Sequence, residues 1–143
     1  MIRLAAVLLL SLSLAACAGD GSTLPAAPGT GPTPAFAPTF TNVKANVLTP
    51  ICSVDGCHDP VTLSGGMNLT PSAAYANLVG VVSSEAPPLK RVDAAKPAVS
   101  YMMIKLDGSS GIVDQRMPLG GPYLSAEVRE SIREWIALGA PDN

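Results

Sequence analysis

Residues 51–58 read ICSVDGCH and contain the most chemically distinctive side chains of the chain. Four residues separate Cys52 from Cys57, and His58, which follows directly, is the only histidine. A single histidine excludes any site that needs two imidazoles, such as a two-histidine zinc site. Asp55-Gly56 is typical of a turn, because glycine tolerates a positive φ. The pair therefore predicts a turn that lets the segment between the two cysteines bulge outward.

Helical periodicity on both sides of this segment predicts an all-α domain with long loops. Before it, apolar residues recur at helical spacing at Phe40, Val43, Val47 and Leu48, and Pro50 is expected to end this first helix. Turn-rich segments follow, and no run shows the alternating pattern of a strand.

Three more helices are predicted towards the carboxyl end. They span 71–78, with Thr70 as the N-cap, and 97–106, closed by Asp107-Gly108. The last helix begins after Ser125 and stops near Gly139. Its predicted apolar stripe consists of Val128, Ile132, Trp135 and Ile136. Its exposed face, with ordinary pairs between residues four apart, is expected to carry Arg129, Glu130, Arg133 and Glu134.

The first residues have the order of a bacterial lipoprotein signal peptide. A short basic start precedes an apolar run over Leu4–Leu14, which is too short to span a bilayer as a permanent helix. Leu14-Ala15-Ala16-Cys17 resembles the lipobox of bacterial lipoproteins. This implies that residues 1–16 are removed and that Cys17 becomes a lipid-bearing N-terminus. An ordinary signal peptide with an incidental cysteine is the alternative, and both predict export to an oxidising compartment.

The remaining chain divides by composition into a linker and one domain. Residues 17–38 are rich in proline and glycine and nearly uncharged, which is typical of a tether, whereas 39–143 can form a core. The net charge of −2 argues against a nucleic-acid partner. We expect the lipid on Cys17 to hold the protein at the periplasmic face of a membrane or at the cell surface. Ala18, the residue after the lipidated cysteine, does not match the familiar membrane-retention signal. This mismatch favours the outer membrane.

The domain resembles the cytochrome c domain. A cysteine pair followed directly by histidine is the pattern of covalent haem attachment, for which the usual spacing is two residues rather than four. The likeness covers Thr39 to Ala140. More specifically, the domain resembles the cytochrome c-like domains of exported proteins in environmental bacteria, including planctomycetes and myxobacteria. The segments that carry it are Cys57-His58, Gly65-Gly66-Met67-Asn68-Leu69, Tyr75-Ala76-Asn77-Leu78-Val79, Ser100-Tyr101-Met102, Arg116-Met117-Pro118 and Trp135-Ile136-Ala137-Leu138-Gly139-Ala140.

The resemblance implies a cofactor and its ligands. Haem c would be attached through thioethers at Cys52 and Cys57, with His58 as the proximal and Met117 as the distal axial ligand of iron. Met67, which lies close to the cysteine segment, is the rival sixth ligand. The longer spacer requires that the extra residues bulge outward, as the Asp55-Gly56 turn allows.

The implied function is the transfer of single electrons, without catalysis, to or from a redox partner protein at or near the membrane. The first and last helices would pack against each other over one haem edge. Of Met102 and Met103, one is expected to fill the core. Arg116 is expected to be solvated, with a haem propionate or a core carbonyl as alternative partners. The apolar residues expected to bury the porphyrin are Val43, Val47, Leu69, Leu106, Ile132 and Ile136.

Two other interpretations of the cysteine segment remain open at the level of sequence. Cys52 and Cys57 could form a disulfide in the oxidising compartment, which would make the domain a haem-free, stapled structural or interaction module. A zinc site would combine both cysteines and His58 with Asp55 or Asp59.

Overall fold

The computed structural model describes residues 31–143, and this part of the chain is helical. Its helices are α1 (Phe40–Val43), which continues as a π-helix (Lys44–Cys52), α2 (Ala74–Leu78), α3 (Tyr101–Asp107) and α4 (Ala126–Ala137). Short 3-10 turns cover Ser64–Gly66 and Pro97–Val99. Within residues 31–143 there is no β-strand, and two isolated bridges join Val79 to Val92 and Val82 to Lys90. The prediction of a helical domain with long loops is confirmed at this level.

The first helix begins as predicted but does not end at Pro50. Thr39 caps it, because its hydroxyl oxygen accepts a hydrogen bond from the N–H of Asn42 at 3.2 Å. Pro50 lies inside the π-helix, so the prediction that it ends the helix is wrong. A proline inside an α-helix lacks the backbone N–H, and its ring crowds the carbonyl four residues back. The wider winding continues past it, since the N–H of Ser53 donates to the carbonyl of Leu48 at 2.8 Å, five residues back.

α2 and α3 are shorter than predicted. The residues before α2 form a turn in which the N–H groups of Ala73 and Ala74 both donate to the carbonyl of Thr70 at 2.9 Å. Thr70 therefore contributes its backbone rather than the predicted side-chain cap. Ser100 is extended, with φ −74° and ψ 117°, and separates α3 from the turn before it. Gly108 ends α3 with φ 68°, as predicted.

α4 matches its prediction and packs against the first helix. The hydroxyl of Ser125 accepts a hydrogen bond from the N–H of Val128 at 3.3 Å. Ile132, Trp135 and Ile136 are fully buried, and burial of each such side chain contributes about 1.5–3 kcal/mol. The rings of Phe40 and Trp135 stack with their centroids 5.3 Å apart. The predicted packing of the first helix against the last is therefore confirmed.

The charged side of α4 is not simply a solvated face. Arg129 and Arg133 reach across to α3, where each binds one carboxylate oxygen of Asp107. Arg133 also pairs with Glu130 within α4, at 3.1 Å. The prediction of an exposed face with pairs between residues four apart is therefore wrong, because both arginines bind α3 and the pair within α4 joins residues three apart. The carboxylate of Asp107 in α3 competes with the acidic residues of α4 for the two arginines. Helical spacing alone does not reveal such a partner from another element.

The chain joins the domain before the predicted boundary at residue 39. The N–H of Ala35 donates to the carbonyl of Glu127, and the N–H of Phe36 donates to the hydroxyl of Ser131, both at 3.1 Å. The predicted signal peptide, Cys17 and the linker up to residue 30 lie outside the described residues. None of the described helices is long and apolar enough to cross a membrane.

Candidate functional site

A cleft in the domain collects most of the residues singled out by sequence. Its empty space amounts to about 650 Å³ when the open, solvent-filled mouth is counted. Cys52, His58, Met67 and Met117 all line it. The rest of its apolar wall consists of Leu48, Leu69, Leu78, Met102 and Leu106.

The apolar wall is only partly the predicted one. Of the six side chains expected to bury a porphyrin, Leu69 and Leu106 line the cleft. The other four are fully buried and belong to the core instead: Val43, Val47, Ile132 and Ile136. Helical periodicity identifies a buried face, but it does not say which neighbour covers that face. Met103 fills the core, and Met102 lies in the cleft wall, so one of the two methionines is a core residue as predicted.

The loop after the π-helix has the turn that the sequence predicts. The N–H of Cys57 donates to the carbonyl of Val54 at 3.0 Å, and Gly56 has φ 81°. The N–H of His58 then donates back to the carbonyl of Cys52 at 3.1 Å. The turn closes the loop, and His58 returns to the end of the π-helix.

Asp59 stabilises this loop from inside, a role that the sequence analysis missed. Its carboxylate accepts hydrogen bonds from the N–H groups of Thr62 at 2.9 Å, Val61 at 2.7 Å and Gly56 at 2.9 Å. These bonds, that from Thr62 foremost, hold the pKa of Asp59 far below its ordinary value. The signal that could have identified it is an aspartate followed by a short turn, whose side chain commonly accepts from the backbone N–H groups after it.

His58 is oriented by a backbone carbonyl. Its Nδ1 lies 2.8 Å from the carbonyl oxygen of Ser64. A carbonyl can only accept, so Nδ1 carries the proton, and in the neutral ring the lone pair remains on Nε2. Burial lowers the pKa of His58 below 6.5, an effect only partly offset by the bond to Ser64. A neutral imidazole fixed in this way is the usual state of a metal-ligating histidine.

The two thiols of the motif are free and differ in position. Cys52 lines the cleft, whereas Cys57 is half-buried in the loop and is not part of the cleft wall. Burial raises the pKa of the Cys52 thiol to about 11, and the neighbouring Cys57 adds to this shift. At neutral pH the Cys52 thiol is therefore protonated.

The two candidate methionines come from different parts of the cleft. Met67 lies in the loop between His58 and Leu69. This loop is closed by a hydrogen bond of 2.8 Å from the N–H of Leu69 to the carbonyl of His58. Met117 is held to α3, where its N–H donates to the carbonyl of Lys105 at 3.1 Å. Both side chains line the cleft, so Met117 and Met67 both remain candidates for the sixth ligand.

A buried polar cluster in the cleft wall was not anticipated from sequence. Lys105, which is only 7% exposed, pairs with Glu85 at 2.9 Å and donates to the carbonyl of Val113 at 2.7 Å. The hydroxyl of Tyr101 donates to Glu85 at 2.9 Å and accepts from the N–H of Val113 at 3.0 Å. Burial would raise the pKa of Glu85, but the hydrogen bonds from Lys105 and Tyr101 outweigh it and lower that pKa. The only sequence signal was the helical spacing that places Tyr101 and Lys105 on one face of α3.

Three of the four residues that the resemblance assigns to haem c line the cleft, namely Cys52, His58 and Met117, and Cys57 does not. His58 offers an oriented neutral imidazole, Met117 and Met67 offer thioethers, and the wall between them is mainly apolar. The zinc alternative is not assembled, because residues 31–143 contain no group of three His, Cys, Asp or Glu side chains that could hold a metal ion. The oxygens of Asp59 are already used by backbone donors. Comparison of the chain with protein-family models, with curated proteins and with solved structures finds no match.

Proposed function

We propose that this protein is a c-type cytochrome that carries single electrons and is tethered to a membrane by lipid. One observation carries the proposal: the hydrogen bond from Nδ1 of His58 to the carbonyl of Ser64, at 2.8 Å, beside an apolar cleft that also contains Met117. A histidine oriented by a backbone carbonyl, with its other nitrogen free to bind, is a ligand prepared for a metal. The proposed fold is a cytochrome c-like helical domain around one haem.

Each candidate residue has a distinct role in this proposal. His58 supplies Nε2 as the proximal ligand, and Met117 supplies its sulfur as the distal ligand. Cys52 and Cys57 supply the two thiols for thioether bonds. Haem c, when bound in this way, alternates between ferric and ferrous iron and so carries one electron. Leu69 and its apolar neighbours exclude water from the cleft.

If His58 and Met117 both bound the iron, no position would remain there for a substrate, so the proposed function needs no substrate pocket. Electrons would pass through an exposed edge of the bound group to a redox partner protein at or near the membrane. The proposed lipid on Cys17 places the domain at the periplasmic face of a membrane or at the cell surface. This makes the chain an electron carrier rather than an enzyme.

The test is whether haem stays with the denatured chain. The full-length protein is expressed with a cytochrome maturation system, denatured, and analysed by a haem-stained gel and by a pyridine haemochrome spectrum. We expect covalent haem in the wild type, a red-shifted haemochrome band in Cys52→Ala and in Cys57→Ala, and no change in Val54→Ala. Val54 is an exposed residue of the same segment and serves as the matched control.

The opposite result identifies the other interpretation of the motif. A chain without haem whose two thiols resist alkylation until reduced would be a disulfide-stapled domain and would refute electron transfer. A chain without haem whose thiols react at once would refute both interpretations.

A further inference from the structure

The loop before α4 is attached to the last turn of α3. The final carbonyls of a helix have no partner inside it. In α3, the carbonyl of Lys105 accepts from the N–H of Met117 at 3.1 Å, and the carbonyl of Leu106 accepts from Nε–H of Arg116 at 2.9 Å. Consecutive residues of one loop thus bind consecutive carbonyls of one helix. The backbone of Met117 is therefore fixed relative to a helix that forms part of the cleft wall.

Arg116 is held at a second point, which makes it more than a solvated side chain. Its guanidinium carbon lies 4.2 Å from the ring centroid of Tyr123. A planar guanidinium can stack on this ring while Nε donates to Leu106, whereas a lysine has neither the plane nor a donor at that position. Arg116 thus binds a core carbonyl, which is one of the partners considered from sequence.

Gly108 leaves the space through which Arg116 passes. A Cβ at this position would lie 2.7 Å from Cδ of Arg116 and 3.3 Å from its Nε. Real Cβ atoms essentially never approach a heavy atom as closely as the first distance. A shift of Cδ away from this Cβ would disturb the hydrogen bond to Leu106, because Cδ is bonded directly to the donating Nε. An alanine at 108 would therefore displace the arginine.

We propose that Arg116 is a positioning residue that holds the sulfur of Met117 in the cleft, and that Gly108 is required because it leaves room for Arg116. This inference rests on the proposed function, in which Met117 is the distal ligand. It adds a residue outside the cleft wall on which ligation depends. Loss of Arg116 would free the Met117 segment from α3 and weaken the bond of the sulfur to iron.

The first experiment compares two glycines that share a backbone conformation. Gly108 has φ 68° and Gly80 has φ 79°, so alanine carries a similar conformational cost at both. Only at Gly108 does the new Cβ meet Arg116, since nothing lies within 4 Å of a Cβ at Gly80. We expect Gly108→Ala to weaken the red absorption band of the ferric iron–sulfur bond and to lower the reduction potential. Gly80→Ala should change neither.

The second experiment removes the arginine itself. We expect Arg116→Ala to lose most of the red band, Arg116→Lys not to restore it, and Gln115→Ala, an exposed neighbour, to keep it. Met117→Leu supplies the reference spectrum without the bond, and Met67→Leu should retain the wild-type band. Hydrogen exchange of the Met117 amide should become faster in Arg116→Ala by on the order of tenfold, the factor that one hydrogen bond represents.

The outcomes separate this inference from the proposed function. Wild-type band, potential and exchange rate in Arg116→Ala would overturn the positioning role while leaving electron transfer intact. A band that survives in Met117→Leu and disappears in Met67→Leu would also overturn it, because the distal ligand would be Met67. A wild-type chain without haem would overturn the proposed function, and the exchange rate would then still measure whether Arg116 fixes Met117.

Discussion

Lys105 is a charged residue in the wall of a mainly apolar cleft, and its charge is compensated there by Glu85. The side chain of Lys105 is 9% exposed and that of Glu85 is 27% exposed, so their ion pair, at 2.9 Å, is poorly screened by water. Tyr101 and Val113 complete the hydrogen bonds of the pair. A buried ion pair adds little to the free energy of unfolding compared with a pair of apolar side chains of similar volume. Removal of a single partner is costly, however, because it leaves a buried charge without compensation.

We therefore expect Glu85→Gln to destabilise the domain by about 2–3 kcal/mol, slightly below the range for a fully buried pair because Glu85 keeps some contact with water. The measurement is the free energy of unfolding in urea at pH 7. The double variant with Lys105→Met removes both charges and should recover most of the loss. An additive double variant would show that the two residues do not stabilise each other.

The same pair predicts how stability depends on pH. The folded pKa of Glu85 lies below its ordinary value of 4.5, so its ionised form contributes stability that is complete above pH 4.5 and is lost as the pH falls through the folded pKa. The stability difference between the wild type and Glu85→Gln should therefore shrink below pH 4.5. A difference that stays constant through the acid range would contradict this assignment.

At the scale of elements, α3 both lines the cleft and is bound to α4. One side of α3 contributes Tyr101, Met102 and Lys105 to the cleft, and its last residue, Asp107, binds two arginines of α4. α4 in turn packs on the first helix through Trp135 and Phe40. The position of the cleft wall therefore depends on the α3–α4 contact.

Asp107→Asn tests this contact. We expect a loss of about 1–2 kcal/mol in the free energy of unfolding, because Arg129 and Arg133 both lose their carboxylate while remaining partly solvated. The matched control is Glu130→Gln, which removes only a pair inside α4 and should cost less than about 0.5 kcal/mol. Equal effects of the two substitutions would mean that Asp107 does not link the helices.

The elements also show what can be read from this sequence. α4 was predictable because its signals are local: a serine N-cap and an apolar stripe with helical spacing. The π-helix was not, since the effect of Pro50 depends on how the backbone around it winds. The binding of Asp107 to Arg133 and of Glu85 to Lys105 joins residues far apart in the chain, which periodicity does not encode.

The candidate site divides in the same way. Of the residues that the resemblance groups at one site, Cys52, His58, Met117 and the rival Met67 line one cleft, whereas Cys57 lies outside its wall. The polar cluster around Glu85 was missed, because its members come from separate segments. Tertiary packing brings them together, and no local pattern marks them in advance.

At the scale of the whole molecule, the proposed tether limits where the domain can act. The first backbone hydrogen bond from this segment to α4 is made by Ala35, so at most residues 18–34 separate the proposed lipid on Cys17 from the folded part. At full extension these residues span no more than about 60 Å. A partner in the same membrane would then meet the domain at an effective concentration of about a millimolar.

Removal of the lipid should therefore change location and rate, but not the haem site. We expect Cys17→Ser, expressed behind an ordinary cleavable signal peptide, to move from the membrane fraction to the soluble exported fraction with unchanged haem content. At micromolar concentration its reduction by a membrane-bound donor should slow by on the order of a thousandfold, the ratio of the millimolar effective concentration to the micromolar one, because the partner is no longer held nearby. A wild-type chain already found in the soluble fraction would mean that Cys17 is incidental to an ordinary signal peptide. A variant that stays with the membrane would mean that the domain itself binds there. The exposed apolar residues of the domain, such as Val61 and Leu119, would then be the residues to substitute.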